Sequence, residues 1–146
     1  MVCGRTVIGF LLALCSIVAH AQPLDSTGNR TLDPGRAWLV AGGTAASMAG
    51  SLFALDRAWY QGHDRIGFHS FDDGDEWYQV DKLGHAHSAF QLGRAGHATF
   101  AWAGFNERTS VWLGGSVGFI YLTGIEYLDG FSSAYGFSWW DMGANT

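Results

Sequence analysis

The chain is poor in cysteine, proline and charge. Its two cysteines, Cys3 and Cys15, fall within a segment that reads as removable, so the remaining chain has no thiol and forms no disulfide, even where an oxidising compartment permits one. Basic residues number 8 against 13 acids, a net charge of −5, which excludes the basic footprint that nucleic acid requires. Charged residues make up 14% of the sequence, against about 25% in an average soluble protein. There are two prolines, and no internal repeat, low-complexity tract or glycine-rich phosphate loop. Aromatics reach 15%, and glycine contributes 21 residues. Few charges combined with many aromatic and small residues suit helices that pack closely at or in a membrane.

The N-terminus carries Arg5, an apolar core from Val7 to Ala19, and Ala19-His20-Ala21 before Gln22. A short positive region, an apolar core and an A-x-A ending predict a cleavable signal peptide over residues 1–21. The core is short for a retained span, which needs about 20 apolar residues. Leu12-Ala13-Leu14-Cys15 superficially resembles a lipid-attachment site. Leu14, however, is too large to precede such a cysteine, and the apolar core runs on past it. The reading is export to a bacterial envelope. About 125 residues remain after cleavage, enough for one domain with its own core.

Residues 22–36 are polar and rich in turn formers, and read as a flexible leader. Residues 37–55 carry no charge, with Gly42, Ala46 and Gly50 at four-residue spacing. They suit either a membrane span or a buried bundle helix. From Asp56 to Val80 the chain turns polar and aromatic, with Trp59-Tyr60 and Trp77-Tyr78 flanking Asp72-Asp73-Gly74-Asp75-Glu76. Trp-Tyr pairs fit a membrane–water boundary. The acidic run reads as a solvated turn or a loose calcium site, since it lacks EF-hand spacing. A second helix is predicted over residues 82–105 with Asp81 as N-cap. Asn106-Glu107-Arg108 makes a turn, and a third helix covers residues 109–128 with Gly114, Gly118 and Gly124 toward one face. Ser138 is placed to cap a last short helix from Trp139. The predicted fold is all-α: three main helices plus a short C-terminal one, forming a helical envelope domain over residues 37–146. With the N-terminus outside, residues 56–82 hold seven acids, a poor match to a positive-inside loop. That favours helices on or partly in a membrane, or wholly periplasmic, over a simple spanning bundle.

At 100° per residue, Asp81, His85, Ser88, Leu92, Gly96, Thr99 and Ala103 share one face of the second helix. His87, Gln91, Arg94 and His97 form the opposite, wet face. A buried His85 needs a partner, and Glu126 and Asp129, three apart at the end of the third helix, offer one. Asp129 sits where the helix dipole disfavours an acid, so a cation, a metal or a donor is expected beside it. Asp141 and Asn145 repeat the four-residue spacing on the last helix. The candidate catalytic residues are His85, Glu126 and Asp129. The candidate ligands of a divalent metal are His85, Glu126, Asp129 and Asp141. Asp81, Lys82, Ser138, Asp141 and Asn145 complete the cluster. Each also has an ordinary role open to it: Asp81 as a cap, Ser138 with Asp141 as a capping box, and His85 as a satisfied core histidine. Glu126 and Asp129 can also pair with Lys82 or Arg108.

These residues carry a resemblance. The run WYQGHDRIGFHSFDDGDEWYQVDKLGHAHSAF and the later TGIEYLDGFSSAYGFSWWDMGANT resemble the YfiM-like family of predicted periplasmic lipoproteins of unknown function, in its Bacteroidetes-type form. The family's D-K-x-x-H falls on Asp81, Lys82 and His85, and its E-x-x-D-G on Glu126, Asp129 and Gly130. Its G-x-S-W-x-D-x-x-x-N falls on Gly136, Ser138, Trp139, Asp141 and Asn145. A fainter likeness to VanZ-like membrane proteins rests on a similar Asp-Lys-x-x-His start and later Asp-x-x-x-Asn, and carries no mechanism across. Relatives of this type continue beyond the position matching Thr146, which implies a truncated member. The functional reading is a structural or binding helical module at a membrane. The alternative is a membrane-surface enzyme acting on a lipid or cell-wall intermediate through a His/carboxylate site, with or without a metal.

Overall fold

The computed structural model describes residues 31–75 and 79–146. The signal peptide, both cysteines, residues 22–30 of the leader, and the Trp77-Tyr78 pair lie outside the described residues. Four helices follow in order: α1 (Pro34–Trp59), α2 (Val80–Trp102), α3 (Glu107–Asp129) and α4 (Trp139–Ala144). The predicted all-α bundle is what forms, and among the described residues there is no strand beyond two isolated bridges.

Helix α1 starts earlier than the uncharged run suggested. Asp33 accepts a hydrogen bond from the Arg36 backbone N–H at 3.0 Å, and Pro34 opens the helix at a position where no N–H is needed. The leader therefore ends by Asp33. Helix α2 does not use Asp81 as its cap. Gln79 occupies that position with φ 64 and no side-chain cap bond, leaving Asp81 in the first turn, where its charge meets the positive helix end. The helix stops at Trp102 because the chain reverses at Gly104, whose φ of 96 suits glycine and whose missing Cβ leaves room for the Thr31 carbonyl. Asn106 caps α3 by accepting from Thr109 N at 2.9 Å. Glu107 and Arg108 are thus helical rather than a turn.

Helices α2 and α3 approach at a glycine contact. A Cβ on Gly96 would sit 2.8 Å from Gly114 Cα, and one on Gly118 would sit 2.6 Å from the Ala89 carbonyl oxygen. Gly124 turns instead toward α1, against Leu52. The predicted division of α2 holds in outline: Gly96 is buried, whereas His87, Gln91 and Arg94 are exposed. His97 is half-buried, its Nε2 3.0 Å from Glu107 Oε1.

A small apolar core of Val40, Phe100 and Ala103, joined by Trp102, Phe105, Leu113 and Val117, lies where α1 begins and α2 ends. The opposite end is closed by polar groups. There the loop before α2 is stitched to the loop after α3 through Ile66 N to Phe131 O (3.0 Å), His69 N to Gly130 O (2.9 Å) and Phe71 N to Phe137 O (3.0 Å). Much of the outer surface is aromatic, with Trp38, Trp112, Trp139 and Trp140 all exposed.

Candidate functional site

The polar end is built from the start of α2, the end of α3, α4 and the loop before α2. It surrounds a pocket of about 860 Å³ lined by Asp73, Asp81, Lys82, His85, Glu126, Asp129, Ser138 and Asp141 together with Trp59 and Tyr135. Glu126 is 2% exposed, Asp141 4% and Asn145 2%, an unusual depth for such groups, which stay inside only when partnered.

The partners are specific. Glu126 Oε2 accepts from Ser138 N at 3.0 Å, and its Oε1 lies 3.5 Å from His85 Nε2. His85 Nδ1 is 2.8 Å from Asn145 Oδ1. A carbonyl oxygen only accepts, so Nδ1 donates to Asn145, and Nε2 is turned toward the Glu126 carboxyl. Ser138 serves two neighbours: its Oγ accepts from Asp141 N at 3.0 Å and donates to Asp73 Oδ1 at 2.7 Å. Lys82 Nζ donates to Asp73 Oδ2 at 2.7 Å and to the Asp73 carbonyl at 2.9 Å, with Asp141 Oδ1 at 3.8 Å. Asp129 takes a donor from outside the cluster, the Tyr60 hydroxyl, at 2.5 Å; that answers the need for a donor at the helix end.

Residues 67–146 match the predicted periplasmic lipoprotein family DUF2279. The chain belongs to that family. No curated protein and no solved structure matches it. Membership agrees with the signal sequence: the protein is exported to the bacterial envelope. The stretch matched to DUF2279 takes in α2, α3, α4 and the loop that carries Asp73, while α1 and Tyr60 precede it.

All eight residues singled out in the sequence for this cluster (Asp81, Lys82, His85, Glu126, Asp129, Ser138, Asp141 and Asn145) meet at this one end. Asp73 and Tyr60 were missed. The acidic run read as a solvated turn, yet Asp73 is buried and paired with Lys82, because that loop folds under α4. Its neighbour Asp72 accepts from Trp140 Nε1 at 2.9 Å.

Burial raises the Glu126 carboxyl to about 7, with the Asp141 and Asp129 charges adding to it against the pull of Ser138 and His85. Burial likewise lifts Asp141 to about 6, aided by Asp81 and Asp73, and raises Asp129. Burial pushes the same way at Asp73, but the hydrogen bonds from Lys82 and Ser138 outweigh it and hold that carboxyl below its ordinary value. Tyr60 is pushed far up by burial and by Asp129. The end therefore combines a fixed ion pair, Asp73–Lys82, with carboxyls that resist ionisation, the setting in which proton transfer and cation binding occur near neutral pH.

One pH dependence follows. A carboxyl whose pKa is raised on folding costs nothing while protonated. Its penalty grows as pH climbs from the unfolded value through the folded one. In chelator-treated protein Glu126 faces His85 from α2, Asp141 from α4 and Asp129 on its own helix. Stability is expected to fall between pH 5 and pH 8 by about 2 kcal/mol, and Glu126→Gln should flatten the slope. Urea unfolding at the two pH values measures this; stability that rises over the interval contradicts it.

Proposed function

We propose that this protein is a membrane-seated binding module of the envelope, docked through α1, which holds its polar pocket at the membrane surface. The carrying observation is the surface of α1. It is 26 residues long, an 18-residue stretch of it reaches a mean hydropathy of 1.4, and Val40 is its one buried residue. Trp38 and Trp59, 77% and 59% exposed, stand near its ends, separated along the axis by about 31 Å at 1.5 Å per residue. Tryptophans near both ends of an exposed apolar stretch suit a helix laid along the membrane boundary, where amphipathic rings sit at headgroup level. The outer face of α2, with His87, Gln91 and Arg94, is too polar for lipid, so the seat is α1 rather than all three long helices. Trp59 also lines the pocket, which supports a pocket beside the membrane boundary in this reading.

A second reading, acid/base chemistry on a lipid or cell-wall intermediate, is favoured by one feature. His85 is oriented by Asn145, faces Glu126, and opens into the pocket instead of being sealed in a closed core.

The membrane reading is tested by flotation of residues 22–146 with phosphatidylethanolamine–phosphatidylglycerol vesicles. The wild-type chain should float with lipid in high salt. Leu39→Asp combined with Phe53→Asp, both at exposed positions, should leave at least tenfold more protein in the bottom fraction. A wild-type chain that stays at the bottom as a soluble monomer overturns the reading.

A further inference from the structure

The pocket holds more negative charge than its own cations balance. Asp73 is taken up by Lys82 and Ser138, and Asp129 by Tyr60. Glu126 accepts from Ser138 N and turns its Oε1 to His85 Nε2 at 3.5 Å. Asp81, His85 and Asp141 each offer one ligand atom, and these atoms all lie within 4.8 Å of one another. Asp81 and His85 are one turn apart on α2, so both point the same way, and α4 presents Asp141 opposite them.

A second observation is independent of that grouping. Asp141 Oδ1 is buried and accepts no hydrogen bond from the described residues; beside it stand the Lys82 ammonium at 3.8 Å and the Asp73 carboxyl, both already engaged with each other. A buried carboxylate oxygen left this way costs free energy, and Asp141 lines the pocket. A third observation concerns His85. Its Nδ1 is held by Asn145 Oδ1 at 2.8 Å, the outer hydrogen bond that metal-binding histidines use to fix the ring and free the other nitrogen. Asn145 is not a pocket-lining residue, so it fits that supporting position.

We propose that Asp81, His85 and Asp141 form a binding site for a divalent first-row transition ion, Zn²⁺ or Mn²⁺. One imidazole with two carboxylates is a mixed donor set that suits these ions, whereas Ca²⁺ takes six to eight oxygens. Donors about 2.0–2.2 Å from one ion lie no more than about 4.4 Å apart, close to the limit within which these atoms lie. Exposed Asp81 is the side chain with room to move inward. The pocket leaves space beside the ion for a ligand oxygen, which is how a site of this kind engages substrate or a partner group. Membrane seating is not required for the site, and its test needs no vesicles.

Residues 22–146, purified in mild detergent and stripped with chelator, would be titrated calorimetrically with ZnCl₂, MnCl₂ and CaCl₂ at pH 7.5. Zinc or manganese should bind at one site per chain, with calcium at least tenfold weaker than the tighter of the two. Asp141→Asn and Asp81→Asn should each weaken that binding at least tenfold, with circular dichroism reporting the fold. Should Asp141→Asn fail to fold, Asp81→Asn, at an exposed position, decides alone. No binding by the wild type overturns the proposal. So does binding unchanged by these variants, which is capture by exposed histidines such as His63 and His87, or calcium binding tighter than both transition ions.

Discussion

Gly114→Ala is expected to destabilise the protein by about 3 kcal/mol, at the upper end of the usual cost of overpacking. An added Cβ there overlaps the His97 backbone nitrogen and lies 2.7 Å from His97 Cα and 2.8 Å from the Gly93 carbonyl oxygen. All three are backbone atoms of α2, so no side chain can swing aside and the two helices must separate. The neighbouring Gly115→Ala supplies the contrast. Nothing lies within 4 Å of a Cβ at that position, and replacing a helical glycine with alanine is worth about 1 kcal/mol. Adjacent residues should therefore shift the urea midpoint in opposite directions. A Gly114→Ala protein as stable as wild type would mean that α2 and α3 do not meet at this contact.

Lys82→Met should cost about 3–5 kcal/mol at pH 8, the usual price of removing one partner from a buried ion pair. The side chains of Lys82, Asp73 and Asp141 are 12%, 10% and 6% exposed. Without the ammonium, two buried carboxylates face each other with no counter-charge. The loss should shrink at pH 5, because burial already lifts Asp141 to about 6 and protonation relieves the repulsion. Adding Asp73→Asn to Lys82→Met should recover part of the stability, which separates an electrostatic cost from lost packing of the lysine stem. Equal losses at both pH values would contradict the electrostatic account.

The helices and the convergence of their ends were legible in the sequence because both rest on local rules. Apolar and small-residue spacing set out three long helices, and Ser138 is an ordinary capping residue; Asn106 reads as part of a turn but caps α3. The i, i+4 and i, i+3 pairs on α2, α3 and α4 put each polar set on one face of its helix, and burying those faces brings the sets together. What was not legible depends on loops. Asp73 sits in a run with no period to read, and its burial follows from α4 folding over the loop, with Trp140 holding Asp72. Tyr60 reaches Asp129 across 69 positions of sequence, a contact no spacing rule supplies. Asp81 looked like a cap because it is an acid at a helix start, yet Gln79 in the left-handed region turns the chain two residues earlier, which frees Asp81 for the pocket. Asp33 and Pro34 did carry the start signal of α1, masked by the surrounding turn formers.

The central claim is that the residues gathered at the ends of α2, α3 and α4 form one cation-binding pocket. The most direct measurement is anomalous diffraction at the zinc absorption edge from crystals of residues 22–146 grown with zinc. The account predicts one strong peak per chain bounded by Asp81, His85 and Asp141, with Asn145 still on the far side of the imidazole. A pocket without a peak, or peaks confined to exposed histidines such as His87, would contradict it.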